Sequence, residues 1–203
     1  ANSISLGRLL PQMAYYAHAA LACLAEGQAP PTVIVPSGNL GNGLAAILAR
    51  EIGLPLGEIV LATNANRTLS EWYASGRYQG RPSVATLANA MDVGDPSNFE
   101  RLSWLYADRD ARPNGLRVER VDDDTIRERV REGEAAYGQV WCPHTACAVE
   151  VMERLRQQRR SEPMLLVATA HPAKFDGVVE PLIGHAIAPP PALAAILARA
   201  SHS

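Results

Sequence analysis

Between an apolar run, Thr32-Val33-Ile34-Val35, and a run of helical pattern, Leu44 to Arg50, stand Ser37, Gly38, Asn39, Leu40, Gly41, Asn42 and Gly43. A strand that turns through glycines into a helix gathers free backbone N–H groups and the positive end of the helix dipole at one point, which suits an anion. Gly38, Gly41 and Gly43 remove side chains where the backbone closes on a ligand, and Ser37, Asn39 and Asn42 add neutral hydrogen-bonding groups. No Lys-Ser or Lys-Thr follows the glycines, so this is not a nucleoside-triphosphate loop, and Gly38-x-x-Gly41-x-Gly43 is not the dinucleotide order. Asn64 follows the second apolar run, Ile59 to Thr63, where a ribose binder carries an acid. A neutral cradle for a single phosphate fits. The same turn also serves as a plain tight connection, and the two asparagines inside it favour binding.

Other candidates lie where strand ends and loops meet one edge of a sheet, the usual place for ligand contacts. Thr169 ends the apolar run Met164-Leu165-Leu166-Val167-Ala168, so its hydroxyl emerges at the carboxyl edge beside the loop. Asn2, Ser3, Asn64 and Asn66 are candidates for the substrate side, although each is also a turn-former that bonds its own backbone. His144 and Thr145 follow Pro143 at a helix start, where Thr145 can act as the cap. Lys174 is the single lysine among 19 basic residues. As a cation near that edge it attracts a phosphate; a solvated surface lysine is the competing reading.

These residues need elements to hold them, and the chain is long enough to supply one substantial core at 203 residues. With 47% hydrophobic and 20% charged residues it has the composition of an ordinary globular protein, and its net charge of -2 suggests neither nucleic-acid nor membrane-surface partners. Cys23, Cys142 and Cys147 are odd in number and form no Cys-x-x-Cys pair, which argues against a disulfide framework or a zinc site and for a reducing, cytoplasmic setting. The apolar stretch from Met13 to Leu24 is too short to span a bilayer, and no basic segment with a cleavage site precedes it. The chain opens on Ala1, inside the lead-in to a helix; a piece of a longer protein is expected, and tag removal leaves the same mark.

Strand-like and helix-like segments alternate, the pattern of an α/β fold with a mainly parallel sheet in a single domain over residues 1–203. Helices are expected over 5–26, with Leu9, Leu10, Met13, Tyr16, Ala20 and Leu24 on one face, over 43–53, burying Leu44, Ile47, Leu48 and Ile52, and over 98–107, 126–136, 144–159 and 191–200. Strands are expected over 32–35, 59–63, 116–121 and, buried, 163–169. Asp122-Asp123-Asp124 reads as a helix N-terminus.

Four blocks, in order, closely resemble the threonine synthase family: Val35 to Asn42, Ala62 to Asn66, Thr86 to Val93, and Ala168 to Phe175. The opening Ala1 to Leu9 does too, and the likeness runs to about residue 185. The resemblance implies pyridoxal 5′-phosphate as cofactor and conversion of O-phosphohomoserine and water to L-threonine and phosphate. It also implies a three-layer αβα arrangement, part of the large domain of a fold-type II enzyme like the tryptophan synthase β-subunit.

What the chain resembles is the C-terminal portion. The family's Schiff-base lysine lies upstream in a Phe-Lys-Asp-type segment that this sequence does not contain, so the chain alone is expected to be inactive, with the N-terminal portion as partner and self-association through the uncovered surface. By the same resemblance Ser37 through Asn42 hold the cofactor phosphate, Thr169 sets a neutral hydroxyl against the pyridine nitrogen, and Lys174 matches a late block whose lysine is not bonded to cofactor. Relatives commonly read Asp-Pro-His-Thr where this chain has Cys142-Pro143-His144-Thr145. Two other functions remain in view. A self-sufficient phosphotransfer enzyme needs a nucleophile beside the loop, and there is no Cys-x5-Arg. A non-catalytic module would bind a phosphorylated ligand or a partner chain.

Overall fold

The computed structural model describes residues 5–107, 113–158 and 161–197. Four parallel strands form one sheet: β1 (Thr32–Pro36), β2 (Ile59–Thr63), β3 (Leu116–Arg120) and β4 (Met164–Leu166), in the order β3-β2-β1-β4. In β1 and β2 every residue is buried, as expected of apolar, β-branched runs covered on both faces. Val33 and Val35 pair with Ile59 and Leu61 and point to one face, while Ile34 and Val60 point to the other.

Helices cover each face. On the first lie α1 (Leu6–Ala25), α2 (Gly41–Glu51), α3 (Thr68–Ser75) and α4 (Phe99–Leu105), whose Tyr16, Leu44, Trp72 and Leu102 share a core with Val33 and Leu61. On the second lie α5 (Asp123–Tyr137), α6 (Pro143–Gln157) and α7 (Asp176–Ile183), whose Ile126, Val151 and Val179 pack with Ile34 and Val60. A further helix, α8 (Pro191–Leu197), ends the described residues. The parallel sheet is as the sequence pattern implies, and the three-layer αβα arrangement around it is as the family resemblance implies.

The chain winds from β1 through β2 to β3 in one direction, then returns to place β4 on the opposite side of β1. Between β1 and β4 the winding direction reverses. In open α/β sheets, ligands collect at the carboxyl ends of the strands at such a switch point.

Several expected details are corrected. The buried stripe of α1 is narrower: Leu9, Tyr16 and Ala20 face the core with Met13 packed beside them, whereas Leu10 and Leu24 are each 55% exposed. One helical step moves a side chain about 100° around the axis, enough to carry Leu10 off the face of Leu9. Ile52 is 70% exposed because α2 stops at Glu51 and Ile52 caps it. The strand expected over 163–169 is three residues long and half-buried, since β4 is an edge strand paired only with β1. Val167 N–H adds one more ladder bond to the Ile34 carbonyl at 3.0 Å.

Neither α3 nor α7 follows from the sequence pattern. The acidic run does behave as a helix start, with the Asp122 carboxylate accepting from Thr125 N–H at 2.9 Å. Among the described residues, no helix is long and apolar enough to cross a membrane.

Candidate functional site

The turn after β1 is held from both ends. Ser37 N–H extends the ladder to the Ala62 carbonyl at 2.9 Å, and the first bond of α2 runs from Leu44 N–H to the Leu40 carbonyl at 2.7 Å. No side chain caps α2, so the N–H groups of Gly41, Asn42 and Gly43, which precede the first intrahelical donor at Leu44, converge where the helix dipole is positive.

The glycines serve close approach. A Cβ on Gly38 would stand 2.6 Å from Met91 Cα, and one on Gly43 would stand 2.5 Å from Leu61 Cδ2 and 3.2 Å from Ser37 Oγ. The left-handed position belongs instead to Leu40, at φ 64°. A non-glycine residue there costs about 1–2 kcal/mol, which the burial of the Leu40 side chain offsets.

The turn forms one wall of a cavity of about 240 Å³ at the switch point. Pro36 to Asn42 line it from β1 and α2; Arg8, Leu9 and Gln12 from α1; Ala90 and Met91 from the short turn Asn89–Met91; His144 from α6; and Thr169 from beyond β4. Three polar atoms on these lining residues are buried without a hydrogen-bond partner among the described residues: Ser37 Oγ, Gln12 Oε1 and His144 Nδ1. Such atoms are costly to leave unmatched, and a polar ligand entering the cavity would match them.

His144 is 3% exposed, and its Nε2 accepts from Ala90 N–H at 3.1 Å. Burial pulls its pKa below the ordinary value; the carboxylate of Asp92 opposes that shift and the cation of Lys174 reinforces it. A neutral ring that accepts at Nε2 carries its proton on Nδ1.

Comparison with known proteins decides the family, because residues 12–170 match the pyridoxal-phosphate dependent enzymes. The chain belongs to that family. Residues 145–203 also match the C-terminal domain of threonine synthase. The threonine synthase of Serratia marcescens is 39% identical over 194 residues, which cover 96% of this chain and 44% of that protein.

Among solved structures, threonine synthase from Escherichia coli aligns with a TM-score of 0.84 at 37% identity, covering 96% of this chain and 45% of that one. The pyridoxal-phosphate-bound threonine synthase from Brucella melitensis aligns with a TM-score of 0.86 at 30% identity, covering 98% and 48%. The chain therefore resembles the C-terminal portion of threonine synthases and spans less than half the length of these relatives.

The cavity fits the phosphate of this family's cofactor: free helix N–H groups, the unpartnered Ser37 hydroxyl and Gly38, where a Cβ would meet the Met91 backbone, stand together. Ser37, Gly38, Asn39, Leu40, Gly41, Asn42, His144 and Thr169 are all brought to it. Two asparagines behave differently from expectation. Asn39 Oδ1 accepts from Ser97 N–H at 2.7 Å and its carbonyl from Asn98 Nδ2 at 2.8 Å, so this residue pins the loop to the start of α4. Asn42 Oδ1 accepts from the Tyr16 hydroxyl at 2.6 Å, tying α2 to α1; burial raises the Tyr16 pKa and keeps it a donor.

Asn64 and Asn66, expected on the substrate side, do not reach the cavity. Asn64 Nδ2 donates to Thr86 Oγ1 at 2.8 Å and Asp92 Oδ1 at 2.7 Å, while its Oδ1 accepts from Asn66 N–H and Nδ2, each at 3.0 Å. Asn66 exchanges bonds with the backbone of Val84. Both asparagines are buried and bond within the protein, bracing the Thr86–Asp92 segment.

Lys174 is exposed on the Pro172–Phe175 turn and is not part of the cavity wall. Asn2 and Ser3 lie outside the described residues. The cap of α6 is Cys142, whose Sγ accepts from Thr145 N–H at 3.4 Å, and Thr145 is not itself the cap.

Arg8, Gln12 and the Asn89–Met91 turn were not anticipated. Arg8 and Gln12 sit four residues apart on α1, a spacing that shares a helix face but does not announce a ligand.

Proposed function

We propose that this chain is the cofactor-phosphate-binding, C-terminal part of a threonine synthase. The complete polypeptide converts O-phosphohomoserine and water to L-threonine and phosphate. The observation that carries this reading is the unpartnered, buried hydroxyl of Ser37 beside the open N-terminus of α2, in a cavity at the switch point of the sheet. The backbone N–H groups of Gly41, Asn42 and Gly43 with Ser37 Oγ hold the 5′-phosphate of pyridoxal phosphate, and Gly38 and Leu40 shape the turn that aims them.

When bound, the cofactor supplies an electron sink for proton removal next to the substrate nitrogen. Thr169, at the cavity rim beyond β4, would offer a neutral hydroxyl to the pyridine nitrogen, which would leave that nitrogen unprotonated. The loop itself carries no cation and holds the phosphate by geometry and dipoles, with Arg8 of α1 the charged side chain on the cavity wall, and water is excluded on this side by the fully buried ends of β1 and β2.

The lysine that bonds the cofactor belongs to the remainder of the polypeptide; Lys174 is not among the residues that line the cavity. A cavity of about 240 Å³ is also smaller than a complete ligand pocket, which runs to roughly 300–1,000 Å³. On α1, Leu6, Leu10, Leu21 and Leu24 form an exposed apolar stripe, which the other half of the enzyme covers and through which the isolated chain self-associates.

The test is reconstitution with pyridoxal phosphate, borohydride reduction, proteolysis and mass spectrometry, alongside a threonine assay. We expect phosphate-dependent binding, no covalent attachment at Lys174 and no threonine. Attachment at Lys174 together with threonine release would overturn the reading.

A further inference from the structure

We infer that His144 is a two-sided binding and positioning residue of this cavity: its Nε2 fastens the Asn89–Met91 turn behind Gly38, and its Nδ1–H is offered to an anionic oxygen of the bound ligand. The inference rests on the cofactor-binding reading above and adds to it a donor that does not come from the loop. Its first half is visible in two contacts. Ala90 N–H donates to Nε2 at 3.1 Å, and the next residue, Met91, supplies the backbone against which Gly38 closes, with no room for a Cβ. Removing the acceptor would free the turn that sets the position of the phosphate loop.

The second half follows from the proton count. An imidazole that accepts at Nε2 and is neutral must donate at Nδ1, yet Nδ1 is buried and has no acceptor among the described residues. The ring is fixed by other contacts and cannot turn away: it packs against Phe175 with centroids 4.8 Å apart, and it sits in the first turn of α6, which Cys142 caps. His144 lines the same cavity as the unpartnered Ser37 hydroxyl, so one entering ligand satisfies both. A buried donor kept rigidly in place before the ligand arrives loses no ordering entropy on binding. The oxygen it meets belongs either to the phosphate or to a ring substituent of the cofactor; the shared chemistry is a charged oxygen acceptor.

Nitrogen-15 NMR of the histidine rings, with His144→Gln to assign the signals, reads the tautomer directly in the chain without ligand. Proton on Nδ1 and a bare Nε2 are expected; the opposite tautomer, or a doubly protonated ring at neutral pH, overturns the inference. Pyridoxal phosphate, pyridoxal and inorganic phosphate are then titrated separately, with phosphorus-31 signals followed for the two phosphates. A downfield shift of Nδ1–H with pyridoxal phosphate and inorganic phosphate supports a phosphate oxygen as acceptor, and a shift with pyridoxal phosphate and pyridoxal supports a ring oxygen. A phosphorus signal that changes while Nδ1–H stays silent overturns this inference and leaves the cofactor reading intact. No phosphorus change at all with pyridoxal phosphate refutes both.

His144→Gln keeps an acceptor where Nε2 stands and removes the Nδ1 donor. It should retain the thermal midpoint and bind pyridoxal phosphate roughly 10- to 100-fold more weakly, the loss for one hydrogen bond to a charged group. His144→Asn does the reverse, keeping a donor near Nδ1 while loosening the Ala90 turn. Equal, undiminished affinity in both variants overturns the proposal.

Discussion

The two strands that flank the switch point make opposite contributions to the site. On the β1 side every residue from Thr32 to Ser37 is buried, β2 lies alongside, and the turn into α2 is braced by Ser97, Asn98, Tyr16 and the Met91 backbone. On the β4 side three half-buried residues pair with β1 alone, and the chain then emerges through exposed Ala168 and Thr169 to exposed Lys174. Both stretches fall within the residues that match the family models. Resemblance therefore marks where a ligand belongs, while burial marks which half of the site this chain can assemble by itself.

The largest effect should come from setting core residues of the two sides against each other. Leu61→Ala empties a fully buried position beneath Gly43 and should cost about 3 kcal/mol in urea unfolding. Leu165→Ala, half-buried at the sheet edge, should cost roughly half that, because less apolar surface leaves water there on folding. Equal costs would show that β4 is as fully covered in solution as β1, and the contrast between the two sides would fall.

Gly38→Ala comes next. Its new methyl meets the Met91 backbone, which cannot rotate aside as a side chain does, so the turn must shift at a cost of about 2 kcal/mol. Because the displacement moves the donors of the turn, pyridoxal-phosphate binding followed by fluorescence titration should be lost along with the stability. Retained affinity in a destabilised variant would separate the turn's fold from its proposed ligand role.

Much of this contrast is legible in the sequence. Unbroken apolar runs announced β1 and β2, a glycine-rich turn announced the cradle, and three aspartates announced the start of α5. Edge position is another matter: Met164 to Val167 are as apolar as β1, and only the strand order shows that β4 has one neighbour. Length does not separate the missed helices from the others, since α4 and α8 are seven residues each; α3 runs directly into Gly76 at the start of a Gly-Pro-rich stretch, and α7 contains Pro181. At the site, residue types were easier to read than partners. Asn39 meets Ser97, 58 positions away, and Asn64 meets Thr86, 22 away, so what each asparagine bonds is set by tertiary contacts that local patterns do not encode. The reading of the glycines as clearance holds at Gly38 and Gly43, whereas the left-handed φ at Leu40 carries no signal in the sequence.

A smaller effect tests His144 through pH. Its pKa is lowered in the fold, chiefly by burial, so the native state takes up a proton less readily than the unfolded chain, where the value is near 6.5. The native advantage is whole above about pH 6.5 and is lost as pH falls through the lowered native value, since a charged ring must either stay buried or break its bond to Ala90 N–H. Unfolding midpoints measured over that window should fall more steeply for the wild-type chain than for His144→Gln. Asp92, which opposes the shift, and Lys174, which reinforces it, set how far the window extends downward. Parallel profiles would place the ring in water and remove it from the buried wall.

Lys174→Met should have the least effect of all, and its smallness is the point. The side chain is exposed, forms no ion pair among the described residues and is absent from the cavity wall, so stability should change by no more than about 0.5 kcal/mol. Its cation does act on His144 by lowering the ring's pKa. Removing it should shift the acid edge of the His144 profile toward higher pH while leaving pyridoxal-phosphate affinity at neutral pH unchanged, because a neutral ring does not feel a charge it has no proton to repel. A large loss of affinity would mean that the exposed β4 side reaches the ligand after all. The chain's only lysine would then belong to the cradle, and the division of labour between the two strands would have to be redrawn.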